Sequence, residues 1–446
     1  MSSPLAALDR RFHVSDSGST LAREALGGLT TFLSMAYITV VNPVFLTAAG
    51  IPRDDAILAT IVASAFATLL MGLVANLPVA LAPGMGLNAF FAYTICIQHH
   101  VSWQIALGLL AIVALVFLAL TVGRVRQTIT EAVPKTLRFA SPVGIGLFIA
   151  VIGLEQSGII VGDPATLVTL GNLRSPPTLL ALGGLTVTLG LAARGARAAV
   201  FWGMLTTVAV GWLAGLVVIG GSFVELPRGR LPGMEMDLVG ALRADLLPLG
   251  VVLLFFAIFD AMGTLFAVAA EAGLLDRDGR FPRLGTALTV DALGALGGAL
   301  AGTSSVTCYI ESATGVSVGA RTGLASLVTG GCFVAMLLFI PLVGAIAAGV
   351  HAGDHTLYPV TAPALIVVGV LMARSVTAID WSELTEAVPA FLTIVLMPTT
   401  FSISHGLAAG FVSYAGMKLA AGRGREAHWL VYGIALLFVW RYLLLE

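Results

Sequence analysis

Three polar side chains set in apolar surroundings, Asn88, Asp260 and Glu311, carry the most chemical promise in this chain. Glu311 belongs to Gly302-Thr-Ser-Ser-Val-Thr-Cys-Tyr-Ile-Glu-Ser-Ala-Thr-Gly315, a small-residue, hydroxyl-rich run between the apolar stretches 287–301 and 324–347. Those flanks hold one acid, Asp291, and the nearest base to Glu311 in sequence is Arg321. Asp260 lies inside Phe255-Phe-Ala-Ile-Phe-Asp-Ala-Met-Gly-Thr264. An ionisable residue in such a place is costly unless it meets a cavity or a partner, which makes it a functional-site candidate by default. Carboxylates accept from ring N–H and exocyclic amine donors, and the Asn88 amide both donates and accepts. Together they suit the edge of an amide-like heterocycle. Phe90, Phe91, Phe256 and Phe259 are able to cover the flat faces of a ring, and Thr307, Ile310 and Ser312 stand in the same run as Glu311. Two carboxylates in one apolar cavity repel each other, so one holds a proton near neutral pH. Binding is then tied to a proton, with a sodium ion as the competing way to neutralise the pair. The plainer alternative is a helix-packing face of small residues with Glu311 at a membrane boundary.

Composition fixes the medium in which these groups work. Of 446 residues, 58% are hydrophobic and 11% charged, against roughly 25% charged in a soluble domain, and the mean hydropathy is +0.99. This predicts a polytopic membrane protein with the lipid bilayer as its main partner. A net charge of -1 gives no footprint for nucleic acid. Cys96, Cys308 and Cys332 lack metal-ligand spacing and read as packing residues, so neither a metal nor a cofactor is expected. His99, His100, His351, His355 and His405 are scattered near span ends, which disfavours an enzyme.

In chain order the apolar spans fall at about 25–48, 56–74, 80–97, 103–122, 142–158, 177–192 and 200–220. The second half gives a span beginning near 247, then 284–301, the broken span that carries 302–315, 324–350, 363–373 with a start as early as 358, and 385–398 and 401–419 as two short spans or one long broken one, with 429–445 as a peripheral or re-entrant helix. Asn42-Pro43 is expected to kink the first span. Arg10, Arg11 and Arg23 place the N-terminus in the cytoplasm. Lys135, Arg138, Arg194 and Arg197 agree, whereas Arg228, Arg230 and Arg243 in the long connection dissent. Pro83, Gly84 and Gly86 break the third span as Gly302, Ser304 and Ser305 break the tenth. Seven spans per half invert one half against the other, the layout in which broken helices meet near the bilayer midplane. The expected fold is therefore all-α, with fourteen transmembrane segments in a 7+7 inverted repeat and short extended stretches in spans 3 and 10.

Five segments carry a specific likeness. They are Gly28-Leu-Thr-Thr-Phe-Leu-Ser-Met-Ala-Tyr37 with Val41-Asn-Pro43, Asn76-Leu-Pro-Val-Ala-Leu-Ala-Pro-Gly-Met-Gly-Leu-Asn-Ala-Phe-Phe91, Phe259-Asp-Ala-Met-Gly-Thr-Leu265, the run 302–315, and Thr361-Ala-Pro-Ala-Leu365 with Ile379-Asp-Trp381. Over nearly its full length the chain resembles the guanine/hypoxanthine/adenine permease branch of the nucleobase–cation symporter 2 (xanthine/uracil permease) superfamily. The resemblance implies a core domain in two parts, 25–122 and 247–350, and a gate domain in two parts, 134–220 and 358–446. It implies proton-coupled uptake of a purine nucleobase by a core that slides against a dimerising gate, in a plasma membrane, bacterial inner membrane above all. Uracil or xanthine is the runner-up substrate. The family's substrate carboxylates fall on Asp260 and Glu311, which also carry proton coupling, and its span-three asparagine falls on Asn88. Ala261-Met262 and Cys308 depart mildly from the usual pattern.

Overall fold

The computed structural model describes residues 4–123, 133–220, 224–225, 227–276, 280–352 and 355–444, without the side chains of residues 4, 5, 259, 260, 441 and 444. Among these residues, eight helices are long and apolar enough to cross a membrane, and five shorter apolar helices accompany them. The architecture is all-α and polytopic.

An amphipathic helix α1 (Pro4–Phe12) precedes the first membrane helix, α2 (Leu21–Met35), whose N-cap Thr20 accepts a hydrogen bond from the Arg23 N–H. The chain turns at Ala36–Tyr37 before α3 (Ile38–Ala48). The sequence places this break at Asn42-Pro43, but Pro43 lies inside α3. Pro43 has no N–H for the Thr39 carbonyl and its ring crowds that carbonyl, and the break lies before the affected turn rather than at it. The first half continues with α4 (Arg53–Leu70), β1 (Leu81–Pro83), α5 (Met85–Ala89) with a wider π-type continuation over Phe90–Gln98, and α6 (Trp103–Val122). Then come α7 (Lys135–Gln156), the hairpin β2 (Ile160–Asp163) and β3 (Leu167–Leu170), α8 (Pro176–Ala193) and α9 (Ala199–Leu213).

The second half starts with α10 (Leu247–Glu271) and α11 (Leu284–Ala301), then β4 (Val306–Cys308), the short α12 (Ser312–Ser317), α13 (Gly323–Met336) and α14 (Ile340–Ala347). The hairpin β5 (Val350–Ala352) and β6 (His355–Leu357) leads to α15 (Ala362–Ala373), α16 (Leu384–Thr399), α17 (Ile403–Ala420) and α18 (Trp429–Leu444). The two hairpins lie in connections that the hydropathy pattern leaves blank. Helix α18 is less peripheral than its sequence implies: it packs on α17, with Val431 and Phe438 buried.

The two broken spans meet. Strands β1 and β4 pair antiparallel, with Leu81 opposite Cys308, Ala82 opposite Thr307 and Pro83 opposite Val306. Backbone bonds from Gly84 N–H to the Ser305 carbonyl (3.0 Å) and from Tyr309 N–H to the Ala80 carbonyl (3.0 Å) extend the ladder. Such pairing is how non-helical backbone survives at membrane depth, because each unpaired N–H or C=O there costs several kcal/mol. The Thr68 hydroxyl serves the outer edge, donating to the Leu81 carbonyl and accepting from the Leu81 N–H, both at 2.9 Å. Gly302 ends α11 at φ +93, a left-handed conformation that favours glycine.

Helix α2 packs on α13, α4 on α11 and α13, and α6 on α10 and α11. A second group forms where α7 packs on α15, α16 and α17, and α8 packs on α9 and α15. Glycines allow the closest approaches: a Cβ on Gly27 would sit 2.6 Å from that of Ala320. The long connection after α9 is a strap over one end of the first group. Arg230 N–H donates to Asp55 (2.7 Å), and Asp237 N–H donates to the Gln104 carbonyl (3.0 Å). Gly233 backs directly onto Gly302. The dissenting arginines therefore belong to a structured cover rather than to an ordinary short loop.

Candidate functional site

Glu311 closes the turn between β4 and α12, in the N-cap position of that short helix. Its partner is an aromatic hydroxyl rather than a base: Tyr37, from the break between α2 and α3, donates to Glu311 Oε1 at 2.7 Å. Tyr37 is 1% exposed. Arg321 is occupied elsewhere, donating from Nη1 to the Val316 carbonyl (2.7 Å) and the Ala320 carbonyl (2.6 Å). The fully buried Glu24 accepts the Arg321 and Thr322 N–H groups at 2.8 and 3.2 Å. Glu24 thus serves donors at the start of α13, where the helix dipole favours a negative charge, and among the described residues no ion pair reaches Glu311, whose carboxylate is held by Tyr37.

The other expected site residues divide by what they touch. Thr307 is buried in β4, and its hydroxyl has no hydrogen-bond partner among the described residues. Ile310, next to Glu311, is 45% exposed in otherwise buried surroundings. These two, with Glu311, are groups that a solute can reach or satisfy. Asn88 and Ser312 are already engaged. The Asn88 carboxamide oxygen accepts from the Ser304 hydroxyl, and its amide nitrogen lies 3.4 Å from the Pro83 carbonyl. Ser312 donates to the Tyr309 carbonyl (2.7 Å) and accepts from the Ala80 N–H (3.0 Å). Both stitch span 3 to span 10 in this conformation. Phe90 and Phe91 are fully buried, and the Phe90 ring lies 6.1 Å from that of Phe256. Asp260 and Phe259 sit on α10, which packs against β4 and α12, but their side chains lie outside the described residues.

The sequence reading gave no role to Tyr37, Ser304 or Asp291. Asp291 is buried on α11 and accepts from the Cys308 thiol of β4 at 3.5 Å. Its signal was a lone acid in an apolar span. Nothing local marks the pairing of Tyr37 with Glu311 or of Ser304 with Asn88, although Ser304 does mark the break in its span, because each meets its partner only through the crossing of two distant spans. No group of three or more His, Cys, Asp or Glu among the described residues is arranged to hold a metal.

Paired broken spans, with a half-buried carboxylate beside their crossing and helices long enough for a bilayer, are the architecture of a membrane transport protein. Residues 22–409 match the Permease family. The chain belongs to that family, within the nucleobase–cation symporter 2 (xanthine/uracil permease) superfamily and on its purine-permease branch. An adenine permease of Escherichia coli is 42% identical over 434 residues, covering 97% of this chain and 95% of that protein. A guanine/hypoxanthine permease of Bacillus subtilis is 40% identical over 451 residues, covering 98% and 99%. In fold, the transmembrane domain of a cyanobacterium bicarbonate transporter is similar at a TM-score of 0.61 and 17% identity, covering 87% of this chain and 97% of that chain.

Proposed function

We propose that this protein imports purine nucleobases, adenine, guanine or hypoxanthine, by proton symport with elevator-type alternating access. The observation that supports it best is the half-buried Glu311 carboxylate, held by Tyr37 at 2.7 Å and with no ion pair among the described residues, four residues from a Thr307 hydroxyl that has no partner among those residues and next to an exposed Ile310. A carboxylate so placed takes a ring N–H, the hydroxyl donates or accepts at the same edge, and Ile310 covers an apolar ring face. Asp260, on the neighbouring α10, supplies the second carboxylate of the site and shares the coupling proton with Glu311. Asn88 joins the purine edge when Ser304 releases it. The names of the adenine and guanine/hypoxanthine permeases support the purine class.

The antiparallel meeting of β1 and β4 supports a seven-plus-seven inverted repeat of fourteen segments. The core comprises 25–122 and 247–350 and carries the site. The gate comprises 134–220 and 358–446, stays fixed and forms the homodimer. The N-terminus faces the cytoplasm of a bacterial cell. Uptake of labelled adenine, guanine, hypoxanthine, xanthine and uracil by cells lacking their own carriers tests the assignment. Accumulation of a purine that competes with the others supports it, and transport of uracil alone overturns it.

A further inference from the structure

Seams between moving bodies are where a transporter stores its resting state, and one contact across the seam here differs in kind from its neighbours. Two of the contacts among the described residues are apolar. Ile145 of α7 lies so close to Gly86 of α5 that a Cβ there would sit 2.7 Å from Ile145 Cγ2. Phe255 of α10 meets Phe411 of α17 edge to face, with ring centroids 5.0 Å apart. The third is polar: the Gln156 side-chain amide donates to the Tyr93 hydroxyl at 3.3 Å. Gln156 is the last residue of α7, and Tyr93 lies in the second half of span 3.

Both partners are held from behind. Tyr93 packs edge-on against Phe45, with centroids 5.8 Å apart. The Gln156 carbonyl accepts the Tyr358 N–H at 2.8 Å, which ties the end of α7 to the start of span 12. The Gln156 side-chain oxygen is buried and has no hydrogen-bond partner among the described residues. A half-satisfied amide in a buried seam makes a weak closure, because the unpaired oxygen offsets part of what the bond contributes.

We propose that Tyr93 and Gln156 form an external latch between core and gate, which holds the internally open state and opens before the core slides. The proposal rests on the alternating-access reading above. In the orientation proposed there, α7 and span 3 both run outward, so this contact lies at the external end. The site, by contrast, is approached from the internal end. Ile310 is 45% exposed, and at helical spacing from it Thr314 is half-buried and Ser317 exposed along α12. Phe90 and Phe91, on the external side of Asn88, are fully buried.

The test uses full-length protein in proteoliposomes, with Cys96, Cys308 and Cys332 replaced by serine and one reporter, Ile145→Cys, buried in the seam at the middle of α7, where a reagent from outside arrives only once the external end has opened. A membrane-impermeant maleimide is added from outside, with and without purine. Tyr93→Phe keeps the ring and its contact with Phe45 but removes the hydroxyl, and Gln156→Leu removes the donor. Each should raise the external labelling rate about two- to tenfold, the range expected for loss of one neutral hydrogen bond. The double variant should show no more than the larger single effect, because both changes break one bond. If purine alters labelling in the parent while both variants label as the parent does, the latch is overturned and the transport reading stands. If neither purine nor either variant alters labelling, the alternating-access reading fails, and the latch fails with it.

Discussion

Replacing Tyr37 by phenylalanine is the most informative single change in the site. It removes one oxygen, the donor 2.7 Å from Glu311, and keeps a ring that is 1% exposed. Water does not easily reach that position, so the carboxylate loses the group that fixes its orientation. Binding must then order a side chain that was already ordered in the parent, at a cost of roughly 0.5–1.5 kcal/mol. That converts to a purine Kd about two- to tenfold weaker. Glu311→Gln removes the charged acceptor itself and should cost roughly 1.5–3 kcal/mol, about ten- to a hundredfold in Kd. Because Tyr37 acts through Glu311, the double variant should bind no worse than Glu311→Gln alone. Calorimetry on purified protein, with melting temperature recorded in parallel, reads all three. Additive losses in the double variant, or an unchanged Kd in Tyr37→Phe, would refute the positioning role.

Three further expectations follow from other parts of the structure. Ser304→Ala should free the Asn88 carboxamide oxygen and loosen the crossing of spans 3 and 10, lowering the melting temperature; Asn88→Ala should do the same and also weaken purine binding, whereas equal purine affinity in both variants would make Asn88 purely structural. Asp260→Asn should abolish accumulation while insertion in the membrane persists, as read by uptake and surface expression together; uptake at the parent rate would remove Asp260 from the site. Beyond the C-terminal end of α17, the Arg423 guanidinium holds the Glu383 and Glu426 carboxyls below the usual carboxylate range, with Lys418 also acting on Glu426. Folded-state values that are depressed contribute stability above the unfolded values, near pH 4.3, and that contribution is lost as pH falls through the folded ones. Arg423→Ala should therefore lower the melting temperature at pH 7, and by progressively less as pH falls below about 4.3; a drop that does not shrink with falling pH would exclude the ion pairs as the cause.

Much of this site could be read from local sequence. The Pro83–Gly84–Gly86 and Gly302–Ser304–Ser305 clusters mark both broken spans, because those residue types resist continuous helix, and both contain the short strands found here. Glu311 stands out because an isolated acid in hydrocarbon demands an explanation. What the sequence could not show is pairing over distance. Tyr37 lies 274 residues from Glu311, and Ser304 lies 216 from Asn88; neither side chain is unusual where it stands. The same holds for Ser312, whose hydroxyl looked available to a solute and is instead consumed by Ala80 and Tyr309 backbone groups. The strap after α9 was obscured for another reason. Its arginines stand out only as dissenters from the charge bias, and its order comes from backbone N–H bonds to Asp55 and to the Gln104 carbonyl, which no pattern of side-chain types reports.

The central claim, proton-coupled purine import through Glu311 and Asp260, is tested most directly in proteoliposomes containing only this protein. Labelled adenine, guanine and hypoxanthine are supplied outside, with an inward proton gradient in one set and an inward sodium gradient at equal pH in another. At least one purine should accumulate above its external concentration in the first set and merely equilibrate in the second, and Glu311→Gln should abolish the accumulation. Accumulation driven by sodium without a proton gradient, or no accumulation of any purine under either, would contradict the account.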